Sequence, residues 1–214
     1  TDTTVGGAGN DTFDAGLSTS SLQTINSSDS LNGGAGADQL VGVITSSVTP
    51  LSLASIETVA ITVNTAASTF DATNGADVTA ITAQGATFAA TLQGFGKTTA
   101  VTLRDSALAH TVTYNDVTGS ADSATVNVTN MSQTTGIATT IAGVETLTLN
   151  VAGSAANIGV LTAAATSTLN VTGDKNLTIV DNLGTTFLTM DASASTGAVN
   201  VDFSGTDVTA TGGT

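Results

Sequence analysis

Short segments in which apolar and polar residues alternate recur along nearly the whole chain. Alternation with a period of two is typical of strands that bury one face, and the β-formers Thr, Val and Ile supply many of these positions. The clearest segments are residues 56–63, 100–103, 111–114, 125–128, 144–151, 168–171, 177–180 and 199–203. Because Gly, Asn and Asp separate them, the pattern favours a β-solenoid or a stacked-sheet sandwich over βαβ units.

Helical periodicity is scarce by comparison. The best candidates are residues 51–55, 135–141 and 155–165, where Thr and Gly lower the helix propensity. We therefore predict an all-β fold, a parallel β-solenoid or β-roll-like stack of strands. The three candidate segments are expected to form short helical turns that cap the coils.

Three internal similarities organise the chain. Residues 6–14 and 33–41 both fit the nonapeptide G-G-x-G-x-D-x-U-x, in which U is apolar. Residues 56–63 and 144–151 are similar strands, each led by one of the only two Glu residues, and residues 206–214 resemble residues 1–8. The last similarity predicts a piece of a longer protein or one unit of an array, since the ends of a solenoid need neighbours or caps.

These similarities divide the chain into three predicted units. Residues 1–45 hold the glycine-rich turns, residues 46–142 form a first β-rich unit, and residues 143–214 form a second. The second unit is expected to lead into a further Gly-rich repeat.

The charge of the chain is sparse and almost wholly acidic. Asp and Glu number 17 against three Lys and Arg, which gives a net charge of −14 although only 9% of residues are charged. Nucleic acid is excluded as a partner because its binding needs clustered cations. The lack of Cys excludes disulfides, so stability must come from stacking, metal ions or assembly.

These residues contain no sequence signal for export or for membrane insertion. No apolar run approaches the ~20 residues of a membrane span, and the first residues lack the features of a signal peptide. We expect no membrane insertion, and we expect the export signal to lie elsewhere.

The glycine–aspartate turns carry the main candidate chemistry. Calcium takes six to eight oxygen ligands, and Gly-rich turns expose backbone carbonyls next to the Asp carboxylate. Asp2 and Asp29 stand four residues before the two turns, so we expect Asp2 to share an ion with Asp11, and Asp29 with Asp38. The predicted calcium ligands are Asp2, Gly6, Ala8, Asn10, Asp11, Asp29, Gly33, Ala35, Ala37 and Asp38.

Other acids are weaker candidates. Asp71 and Asp191 lie in the similar segments 70–73 and 190–193, and Asp14 ends the first nonapeptide. These three are secondary calcium candidates, with solvated turn carboxylates as the alternative. For the nonapeptides themselves, the alternative is that Asp only forms the turn.

No constellation for catalysis is visible. Glu57 and Glu145 occupy the same place in two repeated strands, as duplicated structure predicts, and His110 has no second His or Cys nearby. We therefore expect that the chain is not an enzyme and that it binds no cofactor other than Ca²⁺.

The nonapeptides, residues 29–40 and residues 144–151 together resemble the calcium-binding RTX surface-layer (S-layer) proteins of Caulobacter type. The resemblance implies type I secretion, calcium-driven folding outside the bacterial cell and self-assembly into a cell-surface lattice. The partner is then the protein itself, in a homo-oligomeric lattice or filament. Binding to cell-surface polysaccharide is expected only through regions outside this chain. A segment of a large RTX adhesin or biofilm matrix protein is the alternative.

Overall fold

The computed structural model of the protein describes residues 2–203 and 208–213, and every regular element in these residues is a β-strand. All strands pair in parallel with strands of the neighbouring coils. Parallel neighbours separated by a coil of chain define a β-solenoid, so the predicted fold class is confirmed.

One ten-stranded sheet, called here the long sheet, runs along the molecule. Its strands, in spatial order, are β2 (Thr12–Ala15), β4 (Gln39–Ile44), β6 (Thr58–Val63), β8 (Ala80–Gln84), β10 (Ala100–Arg104), β12 (Ser123–Thr129), β14 (Thr146–Val151), β17 (Thr168–Gly173), β19 (Thr189–Asp191) and β21 (Thr209–Thr211). The sheet passes through all three units that the sequence suggested.

Three shorter sheets complete the coils. The first contains β1 (Thr3–Val5), β3 (Ser30–Asn32) and β5 (Ser52–Ala54). The second, five-stranded, contains β7 (Ser68–Asp71), β9 (Ala90–Phe95), β11 (His110–Tyr114), β13 (Ala138–Ala142) and β16 (Val160–Thr162). The third contains β15 (Ala156–Ile158), β18 (Leu177–Leu183) and β20 (Val199–Phe203).

Coil length varies while the register of the long sheet is kept. Gln39 pairs with Thr12, 27 residues earlier, and with Thr58, 19 residues later. The other coils fall between these lengths, for example the 22 residues from Thr58 to its partner Ala80. The differences are therefore absorbed in the connections between strands.

Alternation along each strand produces a core of stacked apolar side chains. In the long sheet, buried residues of successive coils are register partners and form a column: Leu40, Val59, Ile81, Val101, Val126, Leu149 and Val171. Because parallel strands lie about 4.8 Å apart, each apolar side chain contacts its equivalents above and below. Burial of this repeated surface, at roughly 25 cal/mol per Å², is the main stabilising term.

The predicted helical turns are wrong. No helix occurs in residues 2–203 and 208–213, so none there is able to cross a membrane. Residues 51–55 contain β5, residues 135–141 run into β13, and residues 155–165 contain β15 and β16. Pairing with adjacent coils supplies each of these short segments with backbone hydrogen bonds that an isolated helical turn would lack.

Part of the Gly-rich repeat expected in residues 206–214 lies outside the described residues, namely residues 206, 207 and 214. Of the remainder, Thr209–Thr211 form β21, the last strand of the long sheet.

The core contains one histidine and one tyrosine, both on β11. His110 lies between its register partners Ala90 and Thr139 and is 1% exposed. Neither imidazole nitrogen, nor the Tyr114 hydroxyl, has a hydrogen-bond partner among the described residues. Burial lowers the pKa of His110 to about 4, and burial, with a smaller effect of Asp116, raises the pKa of Tyr114. His110 is therefore neutral in the folded protein at neutral pH.

We predict that His110 makes the fold acid-sensitive. The pKa of His110 falls from 6.5 to about 4 on folding, so between these pH values the unfolded chain binds a proton that the folded chain does not. Stability should fall with pH in this window by about 1.4 kcal/mol per pH unit. Urea unfolding of the wild type and of His110→Leu, at several pH values from 7 downwards, measures the difference. Identical pH profiles of the two proteins would contradict the prediction, because the carboxylates are common to both.

Candidate functional site

Acidic residues stand at one corner of the solenoid, directly before strands of the long sheet. These residues, called here the acidic corner, are Asp11, Asp38, Glu57, Asp122 and Glu145. Because the following strands are in register, Asp11, Asp38 and Glu57 stack on successive coils, and Asp122 stacks on Glu145. The backbone follows the same stacking, since the Glu57 N–H donates to the Asp38 carbonyl at 3.1 Å.

Asp38, Glu57 and Glu145 each accept a hydrogen bond from the backbone of the coil before them. The Asp11 N–H donates to Asp38 Oδ1 at 2.7 Å, and the Asp38 N–H donates to Glu57 Oε2 at 2.7 Å. The second group repeats the arrangement, with the Asp122 N–H donating to Glu145 Oε2 at 2.7 Å. Hydrogen bonds to a carboxylate are stronger than those between neutral groups, so these side chains hold adjacent coils together at the corner.

The two glycine-rich turns lie directly on one another at this corner. The Ala35 N–H donates to the Gly7 carbonyl at 3.0 Å, and the Ala37 N–H donates to Asn10 Oδ1 at 2.9 Å. Within the first turn, the Gly7 N–H donates to Asp11 Oδ2 at 2.6 Å. Ala8 lies exposed in the same turn. The predicted ligands from both turns are thus brought together.

Gly6 and Gly33, the first residues of the two turns, leave space for oxygen atoms. A Cβ at Gly6 would collide with the Gly33 carbonyl oxygen and with Asp11 Oδ2. At Gly33, a Cβ would collide with the Ser55 carbonyl oxygen and with Asp38 Oδ2. At the open side of its first glycine, each turn therefore has a carboxylate oxygen of its own Asp and a carbonyl oxygen of the next coil.

The hydrogen bonds group the predicted acids differently from the sequence-based expectation. Asp29, which is 2% exposed, accepts the Asp2 N–H at 2.9 Å through Oδ1 and the Asn26 N–H at 2.8 Å through Oδ2. Asp2 is thus joined to Asp29, just as Asp11 is joined to Asp38. The sequence had suggested Asp2 with Asp11 and Asp29 with Asp38, which are neighbours along the chain and not across coils.

Asp38 carries the clearest sign of an additional ligand. Its side chain is 1% exposed, and among the described residues nothing hydrogen-bonds to Oδ2. A buried carboxylate oxygen without a partner is costly, because burial removes its water. The Ser55 carbonyl oxygen lies with Asp38 Oδ2 at the open side of Gly33, and the Glu57 carboxylate accepts the Asp38 N–H, so the environment of Asp38 is rich in oxygen and negative charge. These groups fit a hard cation such as Ca²⁺.

Asp122 occupies the equivalent position in the second acidic group, and there a cation is present. The Lys97 ammonium binds Asp122 Oδ1, and the Gly119 N–H donates to Oδ2 at 2.9 Å. The bond from Lys97 holds the pKa of Asp122 below its usual range, and Asp122 in turn raises the pKa of Lys97. One chain therefore contains two versions of the same acid stack, one with an ammonium group and one without.

The three weaker candidates form the same local motif at or next to the ends of strands. Asp14 Oδ1 accepts the Gly16 N–H at 3.0 Å, Asp71 Oδ1 accepts the Thr73 N–H at 3.0 Å, and Asp191 Oδ1 accepts the Ser193 N–H at 2.8 Å. Bonds from residue i to i+2 define Asx-turns. The contacts of these acids are thus those of turn formers.

Sequence reasoning missed Glu57 as a member of the site. Glu57 follows Asp38 by 19 residues and accepts its N–H, yet it lies outside both nonapeptides. The available signal was an acid placed immediately before a Thr that opens an alternating strand, as in Asp11-Thr12, Glu57-Thr58 and Glu145-Thr146. The contacts of Glu57 and Glu145 are to backbone amides, as the duplicated strands suggested.

The side chains of the described residues do not by themselves form a metal-binding cluster. Within residues 2–203 and 208–213, no group of three or more His, Cys, Asp or Glu side chains is placed to hold a metal ion. Calcium sites in glycine-rich turns draw many of their ligands from backbone carbonyls. The Asp38 carboxylate and the Ser55 carbonyl form a set of this kind, in which side-chain and backbone oxygens are combined.

The fold and this corner together define the protein as a parallel β-solenoid in which acids are stacked directly before strands of the long sheet. Comparisons of the chain with protein-family models, with curated proteins and with solved structures found no match.

Removal of the Glu145 carboxylate tests the role of the acid-to-amide bonds. We predict that Glu145→Ala loses about 1–3 kcal/mol of stability, because the Asp122 N–H is left without its acceptor. Glu145→Gln keeps an acceptor oxygen and should lose clearly less. Chemical denaturation of the three proteins measures this order, and equal losses in both variants would show that the hydrogen bond is not the relevant interaction.

A pair of Gly-to-Ala substitutions tests the close approach of the coils. Gly33→Ala should destabilise by about 1–3 kcal/mol or more, because its Cβ meets backbone and carboxylate oxygens. At Gly9, in the equivalent turn, no described atom lies within 4 Å of the added Cβ, so Gly9→Ala is the matched control and should be nearly neutral. Thermal unfolding compares the two, and a similar loss in both would contradict the proposed packing.

Proposed function

We propose that this protein is a calcium-stabilised structural segment of an extracellular bacterial assembly. The observation that carries the proposal is the buried Asp38 carboxylate, whose Oδ2 has no partner among the described residues. No role in catalysis is proposed for the chain.

The internal comparison with Asp122 supports a cation at Asp38. Both acids are nearly buried, both donate their N–H to a Glu of the next coil, and only Asp122 has an ammonium group on its carboxylate. A chain with three Lys and Arg residues against 17 acids has few side chains to supply that charge. A metal ion from solution supplies it in the first stack.

The ligands proposed for the ion are all oxygens. Asp38 Oδ2 and the Ser55 carbonyl oxygen, which lie together at Gly33, would be the central ligands, and Glu57 lies in the next coil of the same stack. Asp11 Oδ2 and the Gly33 carbonyl oxygen form the equivalent pair at Gly6, one coil away. Such a set suits Ca²⁺, whose coordination is flexible and tolerant of water, better than Mg²⁺, which demands regular octahedral geometry. When bound, the ion neutralises carboxylates and joins adjacent coils.

Binding would stabilise the fold by mass action. Extracellular calcium sites typically bind at about 10⁻⁴ to 10⁻³ M, so a tenfold excess of ion contributes about 1.4 kcal/mol per site. This amount is a sizeable fraction of the stability of an ordinary domain. The folded protein would therefore be more stable outside the cell, where calcium is abundant, than in a compartment with little calcium.

The larger context is proposed from the resemblance to Caulobacter-type RTX surface-layer proteins. It comprises type I secretion, a location at the bacterial cell surface and self-assembly into a lattice. A β-solenoid is compatible with that role and equally with a segment of an RTX adhesin or matrix filament. Electron microscopy of the purified chain with calcium separates them, since ordered two-dimensional arrays are expected only of the lattice protein.

The calcium site is tested by neutralising Asp38. Asp38→Asn keeps an oxygen for the Asp11 N–H but removes the charge, so the increase in the thermal midpoint on adding millimolar Ca²⁺ should be lost or need at least about tenfold more ion. Asp122→Asn is the matched control, and its calcium response should remain that of the wild type. A wild-type midpoint that is the same in calcium and in chelator would overturn the proposal, as would an equal loss of response in both variants.

A further inference from the structure

The outer face of the long sheet is almost free of charge in its central seven strands. These strands are β4, β6, β8, β10, β12, β14 and β17. Their outward positions are occupied by Thr, Ala, Val, Asn, Gln and Ser, and their only charged outward residue is Arg104. Two complete rows of register partners cross this face. One row is Gln39, Thr58, Ala80, Ala100, Thr125, Thr148 and Asn170, and the other is Val41, Ala60, Thr82, Thr102, Asn127, Asn150 and Thr172.

This neutrality stands out against the charge of the whole molecule. The chain carries a net charge of −14, yet the acidic corner lies before these strands, and Asp14 and Asp191 lie in strands outside the central seven. Two copies that approach through their turns bring carboxylates together, which is unfavourable. Two copies that approach through the outer face of the long sheet do not.

The size of the face is sufficient for a stable contact. With strands about 4.8 Å apart and about 3.3 Å per residue, seven strands of five residues cover roughly 550 Å². Two such faces bury about 1,100 Å² in total, just above the ~1,000 Å² expected of a specific interface. The outer face of the five-stranded sheet also carries a row of Thr, yet by the same measure it buries only about 800 Å², the size of a typical non-specific contact.

The side chains on the long sheet are short and partly held in place before any contact forms. Asn150 Nδ2 donates to Asn127 Oδ1 at 2.9 Å, and the Thr172 hydroxyl donates to Asn150 Oδ1 at 3.1 Å. Ala loses no side-chain entropy on burial, and hydrogen-bonded Asn and Thr have little left to lose. A face of this kind is ordered at low entropic cost, unlike one covered with Lys and Glu.

We propose that the outer face of the long sheet is a self-association surface, which a second copy of this chain covers face to face. The inference rests on the proposed structural function and adds the part of the molecule through which copies meet. A face-to-face contact of two identical surfaces is isologous and closes on itself as a pair. Further growth of an assembly then requires a second, different contact.

A charge placed at the centre of the face provides the test. Thr102→Asp lies mid-strand in β10, and Thr111→Asp makes the same change on the outer side of the five-stranded sheet, so the second variant is the matched control. Sedimentation in calcium should give wild type and Thr111→Asp at twice the 20.8 kDa monomer mass or above, and Thr102→Asp should associate at least about tenfold more weakly. Circular dichroism checks that each variant is folded.

Cysteine cross-linking gives a second measurement that needs no destabilising charge. The chain contains no Cys, so Thr102→Cys and Thr111→Cys each introduce a single thiol. Oxidation should link pairs of the Thr102→Cys protein much faster than pairs of the Thr111→Cys protein. Faster linking at position 111, or dissociation by Thr111→Asp and not by Thr102→Asp, would overturn the proposed face.

The outcomes for calcium and for the face are separable. A wild type that is stabilised by calcium and stays monomeric up to millimolar protein overturns the self-association surface and leaves the calcium proposal standing. Association through the long sheet in chelator as well as in calcium supports the surface and counts against the calcium-dependent function.

Discussion

Five coils of this solenoid place a carboxylate at the same corner, directly before a strand of the long sheet, and three of these residues donate their backbone amide to the carboxylate of the next coil. In Asp11, Asp38 and Glu57 these bonds link three consecutive coils, and in Asp122 and Glu145 the same bond links two more. The strand that follows each acid begins in register with its neighbour, so the apolar columns of the core depend on the same alignment. A side chain that only capped a turn in isolation would not transmit register in this way.

The acid stack also brings negative charges of adjacent coils close together. Carboxylates at adjacent coils repel one another, and hydrogen bonds from amides offset only part of this effect. In the second stack the Lys97 ammonium completes the compensation, whereas in the first the Asp38 oxygen lacks a partner among the described residues. Charge is thereby concentrated at the turns, while the outward positions of the central long-sheet strands stay nearly neutral.

Much of the fold was predictable from the chain because the period-two alternation specifies strands and the lack of helical periodicity limits the alternatives. The helical candidates were wrong for a physical reason. Residues 155–165 are rich in Ala, which favours a helix locally. Ile158 and Leu161, however, are buried by strand pairing with other coils, and such long-range contacts do not appear in local helix propensity. The glycine turns were located correctly in sequence. The hydrogen bonds from Asp2 to Asp29 and from Asp38 to Glu57 could not be predicted, because they form only after coils of 27 and 19 residues have closed.

Unequal coil lengths have a practical consequence. The chain between β2 and β3 is long, with an exposed stretch at residues 19–22, and yet Thr12 and Gln39 remain paired. Since the register is set at the corner and not by the connection, this connection is a natural place to graft a foreign peptide or a binding epitope. In the lattice proposed for this protein, every molecule would present the graft at the same spacing, so the protein would serve as a regular display scaffold.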